Sequence, residues 1–137
     1  MAKQFTLGKR ERLKSRKQIE QLFTEGKNFP SSPFRIYYRL IPITNSSSSN
    51  IQFGAGVSGK NFKRAVDRNR IKRLTREAYR LQKNPLQETL KETKLQLNLF
   101  FIYTGKELPV FNTVKEKVNV ILNKLSKIVN ERNSSNT

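Results

Sequence analysis

The stretch Leu95–Tyr103, LQLNLFFIY, reads as apolar on both alternations of a strand, and no other stretch restricts the fold as much. A strand wet on one face carries polar residues at every second position. One that is apolar on both belongs inside a sheet whose two faces are covered. With 137 residues, about one domain with one modest core, the same chain has to supply that cover as amphipathic helices.

Such helices are legible. From about Thr113, which has capping-box spacing to Glu116, Val114, Val118, Ile121, Leu125 and Ile128 form a stripe that Leu122 and Val129 widen. A first helix is predicted from Ser15, spaced from Gln18 as a capping box, to Gly26 in the left-handed position that ends many helices. On it Ile19 and Phe23 share a face beside Leu22, and core and surface roles both remain open. Phe29–Pro33 reads as a turn with two prolines, followed by strands at Phe34–Ile41 and Ile51–Val57 joined by a serine-rich hairpin loop at 45–50. Leu86–Lys94 is either a short helix or a loop. Residues 1–131 are then a single α+β domain, a layered α/β sandwich, with a flexible basic arm at 1–12 and a disordered tail at 132–137.

The helix predicted over Phe62–Lys83 has a different character. Ile71, Leu74, Ala78 and Leu81 make one narrow apolar face, and Asn69, Lys72, Arg73, Arg76, Arg80 and Lys83 lie opposite, flanked by Arg68 and Arg70. Only Asp67 and Glu77 oppose this charge. A single-signed face repels itself unless a polyanion neutralises it, and a net charge of +18 points the same way. Anionic membrane is the weaker rival, because no apolar run approaches the roughly 20 residues of a spanning helix. The basic start lacks the apolar core of a secretory signal, so a cytoplasmic location is expected.

The missing residue types exclude chemistry. There is no cysteine and no histidine, so no thiolate nucleophile, cysteine-ligated zinc or imidazole base. The ten carboxylates nowhere cluster as a two-metal nuclease site would need. No catalytic or metal-binding residue is assigned, and no cofactor is expected on the protein itself. One more surface is suggestive: Arg35, Tyr37 and Arg39 alternate on the outer face of the Phe34–Ile41 strand, pairing a ring for bases with guanidinium groups for phosphates. In the strand at Ile51–Val57, Gln52, Gly54 and Gly56 leave the side away from the core with accessible backbone.

The run Arg68-Asn69-Arg70-Ile71-Lys72-Arg73-Leu74-Thr75-Arg76-Glu77-Ala78-Tyr79 resembles the R-N-R-x-K-R-x-x-R-E-x-[FY] signature of the bacterial ribonuclease P protein subunit. Arg12-Leu13-Lys14, Phe23 to Gly26, Phe34 to Tyr37 and Val57-Ser58 match the family in order, and the likeness covers roughly residues 7–129. Departures are Ile19 where an aromatic is common, Gly59 where a second lysine beside Lys60 is usual, and about one extra residue before the R-N-R helix.

The resemblance implies a ribosomal-protein-like α/β sandwich with a mostly antiparallel sheet and a left-handed β-α-β crossover. It also implies a monomeric protein, one copy per catalytic RNA subunit, in a holoenzyme that removes the 5′ leader of precursor tRNA with Mg²⁺. On that likeness the RNA subunit meets Arg68, Asn69, Arg70, Lys72, Arg73 and Arg76, with Lys60 and Arg80 beside them. The leader lies in a cleft of Ile19, Phe23 and Tyr37, with Arg35 and Arg39. Lys9, Arg10, Arg12, Lys14, Lys63 and Arg64 are further basic contacts. A ribosomal-type RNA-binding protein shares the charge and architecture, and a stand-alone nuclease is disfavoured by the missing acid–base residues.

Overall fold

The structure is a computed structural model that describes residues 12–13, 16–42, 51–91, 93 and 95–135. Lys9, Arg10 and Lys14, the Ser15 cap and the serine loop lie outside the described residues.

The elements in order are α1 (Arg16–Glu25), β1 (Lys27–Ser31), β2 (Phe34–Pro42), β3 (Ile51–Val57), α2 (Ala65–Gln82), α3 (Asn84–Lys91), β4 (Leu95–Tyr103) and α4 (Phe111–Ser135). The sheet order is β1-β2-β4-β3. Pairs β1–β2 and β2–β4 are antiparallel, and β3–β4 is parallel. β4 is thus interior, as its apolar character requires. β3 and β4 are parallel neighbours joined through α2 and α3, which makes the β-α-β crossover that the resemblance implies.

Register puts Phe34, Ile36, Tyr38 and Leu40 of β2 in rungs with Tyr103, Phe101, Leu99 and Leu97 of β4, and those with Val57, Ala55, Phe53 and Ile51 of β3. These twelve residues form the inner face. Val114, Val118, Ile121, Leu122, Leu125 and Val129 of α4 and Leu86 and Leu90 of α3 join it in one buried cluster. Phe53 stacks on Tyr79 of α2 with centroids 4.0 Å apart and meets Phe101 edge-on at 5.1 Å.

Several expectations are corrected. Lys27–Ser31 is an edge strand; Phe29 is its only buried residue, and Pro30 is tolerated because an edge strand is hydrogen-bonded along one side only. β2 and β3 are no hairpin, because β4 lies between them. Gly26 is not left-handed. It is glycine because a Cβ there would stand 2.4 Å from the Leu22 carbonyl oxygen and 2.9 Å from that of Tyr38, where α1 turns down onto β2.

The inner face of α2 is displaced around the helix, to Ile71, Thr75, Ala78 and Tyr79. Tyr79 follows Phe53, and Thr75 hides its hydroxyl by donating to the Ile71 carbonyl at 2.8 Å. Leu81 is consequently 37% exposed, and Lys83, placed in the basic stripe by its spacing, is 1% exposed at the junction with α3. β4 is not apolar throughout its outer face. Gln96 and Asn98 are buried there, with Gln96 Nε2 donating to Asn98 Oδ1 at 2.9 Å. The helix α4 continues through Ser135, so the backbone of 132–135, expected to be disordered, is helical.

Candidate nucleic-acid interface

Two surfaces face outward. The first is α2. Its N-cap, Arg64, provides no side-chain cap. Arg68 instead ties down the chain that enters the helix: its Nη1 donates to the carbonyls of Phe62 at 3.0 Å and Lys63 at 2.7 Å. Arg80 is turned onto Glu77, with Nε donating to Oε2 at 3.3 Å. Asn69, Arg70, Arg73 and Arg76 are exposed and Lys72 half-buried, and among the described residues these four cations have no ion-pair partner. Lys60, Lys63 and Arg64, all exposed, extend the basic surface toward the loop before the helix. Asn61 anchors that loop by donating from Nδ2 to the carbonyls of Thr104 at 3.1 Å and Gly105 at 3.2 Å.

The second surface is the outer sheet face, partly roofed by α1. Register places Arg35, Tyr37 and Arg39 of β2 in rungs with Ile102, Phe100 and Asn98 of β4, and those with Gly56, Gly54 and Gln52 of β3. Phe23 of α1, 40% exposed, meets Tyr37 at 4.7 Å and Phe100 at 5.4 Å, edge-on in both cases. Of α1 only Leu22 is fully buried. Both arginines of this face are engaged locally: Arg35 Nη1 donates to Asn28 Oδ1 at 2.7 Å, and Arg39 Nη2 pairs with Glu25 Oε2 at 3.1 Å. Each guanidinium keeps further N–H donors for a phosphate.

The backbone at the two β3 glycines is not open. A Cβ on Gly54 would lie 2.6 Å from Phe100 Cδ2 and Cε2, and one on Gly56 2.9 Å from Phe100 Cε1. The space their missing side chains leave is filled by the Phe100 ring. Phe100 therefore joins Phe23 and Tyr37 as a third aromatic of the groove, a residue that strand periodicity alone gave no reason to single out. The only signal was G-x-G on a neighbouring strand.

Beside the groove is a cavity of about 390 Å³, lined by Arg12, Leu13, Ile19, Phe53, Gly54, Ala55, Arg76 and Phe100. Arg12 and Leu13 are held against β3, with the Leu13 amide donating to the Phe53 carbonyl at 2.9 Å. The structure thus brings Ile19, Phe23 and Tyr37 together, with Arg35 and Arg39 at their border, and keeps Arg70 and Arg73 apart on α2. Arg76 and Arg12 stand between the two groups. A larger cavity of about 600 Å³ opens where α1 ends, between β2 and α4, with Glu25, Lys27, Arg39 and Glu131 of mixed sign around it.

A family model described as Ribonuclease P matches residues 7–126. The chain belongs to the ribonuclease P protein family. It is 43% identical over 111 residues to a ribonuclease P protein component of Porphyromonas gingivalis, covering 81% of this chain and 80% of that one. To that of Chlorobium phaeobacteroides it is 30% identical over 128 residues, covering 88% of each. The fold matches a solved RNase P protein of Staphylococcus aureus with a TM-score of 0.63 at 20% identity, covering 84% of this chain and 94% of that one. As a family member the chain is a protein component of the endoribonuclease ribonuclease P and acts in tRNA processing. Among the described residues no helix is long and apolar enough to cross a membrane, and no three His, Cys, Asp or Glu residues are grouped to hold a metal.

Proposed function

We propose that this ribonuclease P protein binds the catalytic RNA subunit along α2 and the 5′ leader of precursor tRNA in the groove between α1 and the sheet. Cleavage of the leader is then carried out by the RNA. The observation that carries this reading is the pair of chemically distinct surfaces: Arg70, Lys72 and Arg73 on α2, without an ion-pair partner among the described residues, and a half-exposed aromatic trio, Phe23, Tyr37 and Phe100, on the opposite sheet face.

On α2, Arg70, Lys72 and Arg73 neutralise phosphates, with Lys60, Lys63 and Arg64 extending the contact, and affinity falls steeply with salt as counterions are released. In the groove, rings stack on bases without regard to sequence, worth about 1–3 kcal/mol per base. Only the precursor has a leader, so the groove discriminates precursor from mature tRNA. The holoenzyme uses Mg²⁺, and among the described residues no three His, Cys, Asp or Glu side chains are grouped to hold an ion, so on this reading the metal belongs with the RNA. The protein works in the cytoplasm as a monomer, one copy per RNA subunit.

The test is single-turnover cleavage of a precursor tRNA by a bacterial ribonuclease P RNA at low Mg²⁺. Wild-type protein is expected to rescue cleavage and an Arg70→Ala/Arg73→Ala variant to lose the rescue. No rescue by folded wild-type protein with a cognate RNA sinks the reading; rescue by both proteins moves the RNA-subunit contact off α2.

A further inference from the structure

Two segments from distant parts of the chain lie side by side at the entrance to α2. The loop 58–64 leads into that helix, and the turn 104–110 joins β4 to α4. Asn61 fastens one to the other through the carbonyls of Thr104 and Gly105, and the Ser58 amide donates to the Tyr103 carbonyl at 3.0 Å. The residues next along from this junction are Lys60 on one side and Lys106 on the other, both exposed. We infer that the turn is part of the surface that meets the RNA subunit, where Lys106 and Lys60 neutralise RNA phosphates together. Asn61 is the positioning residue that holds the two in place. This rests on the proposed binding of the RNA subunit along α2, and adds a second stretch of chain to that contact.

The turn is fixed before anything binds. The Tyr103 hydroxyl closes it from within by donating to the Glu107 carbonyl at 2.7 Å. From the other side, the Thr104 amide and hydroxyl both donate to the Pro33 carbonyl, at 2.8 Å and 3.0 Å. A Cβ on Gly105 would stand 2.5 Å from the Tyr103 hydroxyl oxygen, so glycine lets the chain fold closely over that ring. Across the junction the rings of Phe62 and Tyr103 have centroids 6.1 Å apart. A backbone held from so many sides loses little freedom when a partner docks, and less of the binding energy goes into ordering it.

The charge of the two segments says what they meet. Lys60, Lys63, Arg64 and Lys106 are set against one carboxylate, Glu107. Among the described residues none of these four cations has an ion-pair partner. Fastening Lys60 and Lys106 beside one another costs repulsion in the free protein, and a polyanion removes that cost. Leu108 and Val110, 46% and 64% exposed in the same turn, leave apolar surface in water that the sugars and bases of a docked RNA would cover.

The experiment measures assembly of the full-length protein with a cognate ribonuclease P RNA over a range of salt. Lys106→Ala is expected to weaken assembly and to reduce its salt slope by about one, as Lys60→Ala does, because each removes one phosphate contact. Asn61→Ala keeps every cation and is expected to weaken assembly too. In its background Lys106→Ala should cost less affinity than in the wild type, a coupling that a residue acting only on stability would not show. Melting of the free variants establishes that they are folded. The chain has no cysteine, so Lys106→Cys carries a single tethered iron–EDTA chelate, which should cut the RNA subunit where the turn lies against it. The inference is overturned if Lys106→Ala keeps the wild-type affinity and salt slope, or if the chelate at position 106 leaves the RNA subunit uncut. Additive losses from Asn61→Ala and Lys106→Ala overturn the positioning role. If folded wild type does not bind the RNA, or Arg70→Ala/Arg73→Ala binds as well as wild type, the reading of α2 has failed, and this one with it.

Discussion

At the scale of single residues, glycines with different surroundings call for opposite expectations. Gly54→Ala puts a methyl 2.6 Å from two ring carbons of Phe100, so strand or ring has to move. Overpacking of this kind costs about 1–3 kcal/mol, and thermal denaturation should show it. Gly59, with nothing within 4 Å, should accept alanine without loss. Tyr103 gives a pH expectation. Its hydroxyl donates to the Glu107 carbonyl at 2.7 Å, and burial, then the Glu107 charge, raises its pKa above the usual 10.0. Above pH 10 the unfolded chain releases this proton before the native one does. The native state then binds more protons, and stability falls as pH rises through the native pKa. Tyr103→Phe should lose about 1 kcal/mol at neutral pH, one hydrogen bond's worth, and show a flatter decline in alkaline melts.

At the scale of elements, α2 divides its arginines between two tasks. Arg68 holds two carbonyls at the helix entrance, whereas Arg73 is exposed. Arg68→Ala should lower the melting temperature of the free protein, by the equivalent of about 1–2 kcal/mol for two hydrogen bonds, one partly buried and one exposed. Arg73→Ala should leave melting alone and reduce the salt slope of RNA assembly by about one. Spacing separates such roles poorly, since both residues read as cations on one face. The elements themselves were legible where periodicity was long: α4, β3 and the body of α2. β1 was not, because one buried Phe29 between Asn28 and Pro30 looks like a turn until β2 is beside it. Apolar spacing alone does not give the inner face of α2, because a threonine and a tyrosine complete it. In the fold one stacks on Phe53 and the other hydrogen-bonds its own helix. The groove was half legible. Ile19, Phe23 and Tyr37 could be named from motif positions, but Phe100 depends on two glycines from a distant part of the chain.

At the scale of the whole molecule, charge and topology act together. Cations far outnumber carboxylates, so the free protein carries self-repulsion that assembly with a polyanion relieves. Its melting temperature should accordingly rise with added salt while its affinity for RNA falls, opposite trends that scanning calorimetry and binding titrations would record side by side. The interior place of β4 has a consequence for how the protein is made. A ribosome delivers β2 and β3 well before the strand that belongs between them, and with β4 missing neither has its principal partner. The basic helix emerges in that interval, ahead of the sheet it will rest on. Folding is therefore postponed until most of the chain has been synthesised, and its pairings are long-range ones, which form slowly. For this protein the synthesis of β4 decides whether the strands made before it acquire a structure.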